Sequence, residues 1–170
     1  MQLEEFKKIV MQQAQKKGFG VKPEDIIVAE KIALIHAEIS EAYEAYLNSN
    51  LEGVHGLYEE LGDILQRVLH LGGIFNLDFS TELELGLKVA SDLSFDVQIS
   101  QVHLLVSKTY EAYRQKKEQE FDSSLINLAY VILRLADNFD FSLAEVIAKK
   151  IETNQKREWN SNKLNEHLRG

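Results

Sequence analysis

From Leu3 onward the apolar positions recur at steps of three and four rather than in alternation, so the pattern predicts helices throughout. The first covers about residues 3–15 and is ended by Lys17-Gly18-Phe19-Gly20. Pro23-Glu24-Asp25 opens a second, with proline and acids where a helix N-terminus favours them, and this helix continues to about Leu47. After the stop at Asn48-Ser49-Asn50, a third helix is predicted over 54–75, broken by Asn76-Leu77-Asp78. Ser80-Thr81 with Glu84 forms a capping signal for a shorter helix to about Ser91. Further helices are expected over 96–119, 122–138 and 142–159, followed by a polar, frayed tail over 160–170.

The chain also carries a worn internal repeat. The segment Ile35-His36-Ala37-Glu38-Ile39-Ser40-Glu41-Ala42-Tyr43-Glu44-Ala45-Tyr46 aligns without gaps on Val102-His103-Leu104-Leu105-Val106-Ser107-Lys108-Thr109-Tyr110-Glu111-Ala112-Tyr113. In both places a turn, a helix, a break containing Asn and Phe, and another helix follow. The expected architecture is therefore an all-α bundle, built around a four-helix core with pseudo-symmetric halves. Where the halves differ, the difference is chemical. Glu38 and Glu41 stand opposite Leu105 and Lys108, and Glu60 and Asp63 stand opposite Ser124 and Asn127. Four acids are present in the first half and absent from the second, the pattern of one half keeping a site while the other serves as scaffold.

Helical geometry sharpens that contrast. Glu38 and Glu41 are three apart and share a face with Ile27, Lys31, Leu34 and Ala45, at the spacing of a packing seam. Ile32, Ile35, Ile39, Tyr43 and Tyr46 form a second apolar stripe, so both glutamates are expected to point toward protein. On the next helix Leu57, Leu61, Ile64, Val68, Leu71 and Phe75 make an apolar seam, with Glu60, Asp63 and Arg67 about 100° around from it. Antiparallel packing of the two helices would bring the acid pairs together. Four carboxylates cannot all stay ionised side by side in a low-dielectric place without compensation, and a hard divalent cation supplies it.

Composition narrows the possibilities. A chain of 170 residues with 45% hydrophobic content builds one domain with a packed core. The one proline leaves long helices possible, and the lack of cysteine removes disulfides and thiolate metal sites. No window approaches the roughly 18 apolar residues of a membrane span, and the N-terminus has neither the basic start nor the apolar run of a signal peptide. A cytoplasmic protein is the expectation. The formal net charge of −8 argues against a general nucleic-acid binder, yet a divalent cation between acids and phosphates would reverse the local sign.

With Glu38-Ile39-Ser40-Glu41 followed by Glu60-Leu61-Gly62-Asp63, the chain resembles the all-α nucleoside triphosphate pyrophosphatases, a superfamily including MazG, dimeric dUTPases and phosphoribosyl-ATP pyrophosphatases. The likeness covers about residues 25–75, taken as the metal-binding half of a single domain over 1–170; residues 96–159 form the degenerate half. A weaker likeness is Lys150-Ile151-Glu152-Thr153-Asn154-Gln155-Lys156-Arg157, close to an element of the dUTPase and MazG-like branches. Independently of family, Lys150, Asn154 and Arg157 share one helical face, where two cations and an amide suit phosphate and sugar oxygens. The N-terminal glutamine, asparagine and tryptophan positions of the dUTPase branch have no clear counterpart, since Trp159 lies at the far end; Gln12 and Gln13 are candidate substitutes near the start.

The resemblance implies Mg²⁺-dependent (or Mn²⁺-dependent) hydrolysis of a nucleoside triphosphate between the α and β phosphates, and a homodimer. Glu38, Glu41, Glu60 and Asp63 would hold the metal. Glu41, or else Glu38, would take the proton from water, and Lys150, Asn154 and Arg157 would bind the phosphate chain. Two competitors remain. One is a non-catalytic helical interaction module whose buried acids fix register. The other is a di-iron carboxylate protein, disfavoured because Glu52-Gly53-Val54-His55 is the only Glu-x-x-His and two such pairs are needed.

Overall fold

A computed structural model describes residues 3–81, 93–139 and 141–156, the last three by their backbone alone. Among them are six α-helices and no strand: α1 (Leu3–Lys17), α2 (Val28–Leu47), α3 (Leu57–Ile74), α4 (Phe95–Arg114), α5 (Glu118–Ala136) and α6 (Leu143–Lys156). None of these helices is long and apolar enough to cross a membrane.

The core is a ring of four helices. Helix α2 packs on α3 and α4, and α5 packs on the same two; α1 and α6 both add to α3. This follows from the apolar stripes. Val28, Ile32, Ile35, Ile39 and Ala42 give α2 a buried seam at alternating four- and three-residue steps. Helix α3 is buried around most of its circumference, by Leu57, Leu61, Ile64, Leu65, Val68, Leu69 and Leu71, because it has neighbours on every side.

Ring contacts fix the directions. The Nδ1 atoms of His36 on α2 and His103 on α4 lie 2.7 Å apart, with the rings stacked, and Tyr46 late in α2 meets Phe95 at the start of α4 at 4.3 Å. Phe75, just after α3, meets Phe121 early in α5 at 4.9 Å, while Tyr58 early in α3 faces Phe139 just beyond α5. Both pairs therefore run antiparallel. His36 and His103 are also the residues that stand opposite each other in the sequence alignment.

Three predicted boundaries differ from the structure. Pro23 does not open the second helix: Pro23–Asp25 forms a separate 3₁₀ turn, and Asp25 accepts hydrogen bonds from the backbone N–H groups of Val21 and Lys22. The β-branched pair Ile26-Ile27 is extended, and α2 starts afresh at Val28. The break expected near 119–122 lies at 115–117, where Lys116 takes a positive φ of 57° and Glu118 and Glu120 occupy the favourable first turn of α5. Helix α3 begins at Leu57 rather than near 54, because His55 adopts φ 58° and Gly56 is the N-cap. The capping signal at Ser80-Thr81 leads into residues outside the described ones, as do the end of the last predicted helix and the polar tail.

Candidate metal centre

The loop between α2 and α3 sets the register of the two acid-bearing helices. Asn50 donates its amide to the carbonyl of His55 at 3.0 Å and accepts the backbone N–H of Leu57 at 2.9 Å. Glu59 then accepts the N–H of His55 at 2.8 Å, tying the first turn of α3 to the loop. Helix α3 consequently enters with Glu60 and Asp63 on the side that faces α2.

The two helices bring the acids together. Carboxylate oxygens of Glu38, Glu60 and Asp63 all lie within 4.8 Å of one another, and ligand atoms of Glu41, His55 and Glu60 form a second such group. Glu60 belongs to both. Magnesium binds oxygens at about 2.1 Å, so its ligands sit up to roughly 4 Å apart; the spacing here needs small side-chain adjustments only. The buried Glu38 and Glu60, with Asp63 beside them, could hold a metal ion.

Burial divides the four acids. Glu38 and Glu60 are 6% and 2% exposed, and Asp63 is half-buried, but Glu41 is exposed. The expectation that both α2 glutamates point toward protein is thus corrected for Glu41. The seam through Ile35, Ile39 and Ala42 is the face that α3 and α4 cover; Glu38 sits beside it, and Glu41 lies one step further round. Ile27, placed on the same seam from sequence, is likewise exposed because it precedes the helix.

Two cations compensate part of the charge. Arg67, one turn beyond Asp63, donates its Nε–H to Glu38 at 2.6 Å and pairs with it through a second nitrogen. Lys150 of α6 reaches back to Asp63 and lies 3.5 Å from Glu59. Helix α6 packs on α3 here, with Val146 and Ile147 facing Gly62. Among the described residues Glu60 has no lysine or arginine paired with it; His55, largely in solvent, lies 3.4 Å away.

The electrostatics follow that assignment. Burial, a hydrogen bond with Glu38 and the charges of Asp63 and Glu38 push Glu60 up to about 7. Asp63 is also raised, by burial, against the lowering pull of Lys150. Burial raises Glu59 too, but the His55 N–H and Lys150 together hold it below the usual carboxylate range. A buried carboxyl that resists ionisation beside three more carboxylates is a place where added positive charge is favourable. Oxygen donors with one imidazole at the rim fit a hard divalent cation such as Mg²⁺ or Mn²⁺.

Of the predicted phosphate-binding residues, Lys150 is brought to the acids. Asn154 lies one turn further along α6, but its side chain, and Arg157 altogether, fall outside the described residues. Gln13 contacts the backbone of Ile151 on α6, whereas Gln12 is exposed. His55, Arg67 and Glu59 join the site from outside the sequence motif. Arg67 carried a signal, sharing the acidic stripe of α3; His55 carried none, since its position depends on a left-handed turn. Glu52, its partner in the Glu-x-x-His spacing, belongs to neither group of potential ligands. No family model matches the chain, and comparisons with curated proteins and with solved structures find no match either.

Proposed function

We propose that the chain is a Mg²⁺-dependent nucleoside triphosphate pyrophosphohydrolase, releasing pyrophosphate and a nucleoside monophosphate, and that α2–α3 and α4–α5 are copies of one unit of which the first alone keeps the site. The carrying observation is the convergence of Glu38, Glu60 and Asp63 on one point, with Glu41 joined to them through Glu60. Two acid pairs at the spacing of the sequence motif meet across a helix interface, and the motif's family is the source of the reaction assigned.

Bound among these acids, Mg²⁺ would offset the charge that develops on the transferred phosphoryl oxygens. The remaining work falls to the protein's own groups. Glu41, at the solvent edge of the cluster, is placed to accept a proton from an incoming water. Lys150 reaches the edge of the acids from α6 and can turn from Asp63 toward a phosphate oxygen. Arg67 holds Glu38 in place from below. The test is release of pyrophosphate from a panel of ribo- and deoxynucleoside triphosphates, with and without Mg²⁺. Metal-dependent release from at least one of them is expected; absence of turnover across the panel would remove the enzymatic reading.

The same two ion pairs favour a second reading. Arg67 with Glu38 and Lys150 with Asp63 neutralise two of the acids within the fold, as a register-fixing polar network would. That reading predicts a melting temperature indifferent to millimolar Mg²⁺ with a non-hydrolysable nucleotide analogue. The metal reading predicts a rise through binding linkage.

A further inference from the structure

The place in α4–α5 that stands opposite the acidic centre is not filled in. A cavity of about 350 Å³ opens there, and its lining includes Leu105, Lys108, Ser124 and Asn127, the four residues aligned with Glu38, Glu41, Glu60 and Asp63. Four acids at one position correspond to one cation, a hydroxyl, an amide and a leucine at the other. Where the first arrangement calls for a cation, the second is suited to an anion.

Side-chain partners around this cavity support that. Asn127 lines it while only 4% exposed, and among the described residues its amide has no hydrogen-bond partner. A buried amide in that state wants a polar group on the cavity side. The other charges on the rim are already engaged: Lys117 with Glu120 at 3.2 Å, and Glu111 with Arg114 at 3.1 Å and Gln115 at 2.6 Å. Lys108 pairs with no carboxylate among the described residues, so it is the uncompensated charge. Leu105 and Ala112 supply an apolar wall, and the volume lies at the low end of small-molecule sites and exceeds what a bare phosphate fills.

We propose that this cavity binds a compact phosphate monoester directly, without a metal ion, through Lys108, Ser124 and Asn127, with the organic part against Leu105 and Ala112. The site is separate from the acidic centre and does not depend on the reaction proposed for it.

The experiment uses the full chain in excess EDTA, which silences the acidic centre. Nucleoside monophosphates, sugar phosphates and inorganic phosphate are titrated by calorimetry and by chemical-shift mapping. Saturable, chelator-insensitive binding of at least one ester is expected, with shifts centred on α4 and α5. Lys108→Glu, at an exposed position, should weaken it about tenfold or more with the melting temperature unchanged. Asn127→Leu should weaken it too, while Asp63→Asn should leave it intact. The proposal is overturned if no ester binds at millimolar concentration or if Lys108→Glu binds as well as the parent chain. Binding abolished by Asp63→Asn would assign the ligand to the acidic centre instead. Inorganic phosphate binding as tightly as every ester would likewise remove the assignment of an organic part.

Discussion

The α2–α3 and α4–α5 hairpins put different chemistry at corresponding places. In the first, buried acids are held by cations brought from two directions, Arg67 on the same helix and Lys150 from α6. In the second none of the four aligned positions holds an acid, and the residue aligned with Arg67 is the fully buried Val131. The arginine therefore accompanies the acids and not the helix packing. Gly62, beside the acids, faces Val146 and Ile147 of α6, whereas Ile126 stands in the aligned position of α5. A site of this kind is a set of mutually dependent residues, and its absence from the other hairpin is equally complete.

The sharpest way to break the comparison is to neutralise the acids that the second hairpin lacks. Glu60→Gln and Asp63→Asn should each lower Mg²⁺-dependent pyrophosphate release by roughly 10²–10⁴-fold. Glu60→Gln should not lower the melting temperature without metal, because the buried, reluctantly ionised carboxyl is replaced by a neutral amide. Retained turnover in both variants would detach the chemistry from this cluster.

Next in size is the cost of stranding an acid. Arg67→Val leaves Glu38 buried without its partner and should cost about 1–3 kcal/mol in chemical denaturation, less than for a fully buried pair because the arginine is partly in solvent. Adding Glu38→Leu makes the position resemble Leu105 and Val131, and should restore most of that stability while activity stays absent. Additive losses in the double variant would show that the two residues do not act as a pair.

The pH dependence separates the helix interface from the acids. His36 and His103 are both held below the usual imidazole range by burial, His103 further by His36, and their Nδ1 atoms share one hydrogen bond. With folded values depressed, their contribution is complete above the unfolded value near 6.5 and is lost as pH falls through the lowered folded values. Glu60 acts in the opposite sense. Its folded value of about 7 means that, in the metal-free protein, its contribution is complete below about 4.5 and is lost as pH rises through 7. Melting curves in EDTA should show both limbs; His36→Asn should flatten the acid limb alone, and Glu60→Gln the neutral one.

The smallest effect expected is at Gly62. A methyl group there would meet Val146 and Ile147 at 3.5 Å, an ordinary contact. Gly62→Ala should therefore stabilise α3 by up to about 1 kcal/mol through helix propensity, with Mg²⁺ dependence unchanged. A marked loss of stability would mean that α6 sits closer to α3 than this packing.

The helices were legible in the sequence wherever an apolar stripe faced a neighbour, as in α2 and α3. The break at 115–117 was not, because Gln115, Lys116 and Lys117 are good helix formers and the turn is made by one lysine in a left-handed conformation. Pro23 misled for the converse reason: it does favour a first helical turn, but that turn is closed off by Asp25 and the extended Ile26-Ile27 pair. Spacing along α2 and α3 was enough to anticipate that the acids meet. It could not rank their exposure, since Glu38 and Glu41 differ by less than a quarter of a turn and the edge of the covered face falls between them. Lys150 at the acids depends on where α6 docks, which periodicity within a single helix does not encode.

The contact between His36 and His103 has one more consequence. On the proposed duplication these are the same residue of one unit meeting itself, as across the axis of a symmetric dimer. Here both partners lie on a single chain, joined between α3 and α4, so their association has a fixed effective concentration and dilution cannot separate them. Each half is then free to diverge without having to remain complementary to an identical copy of itself.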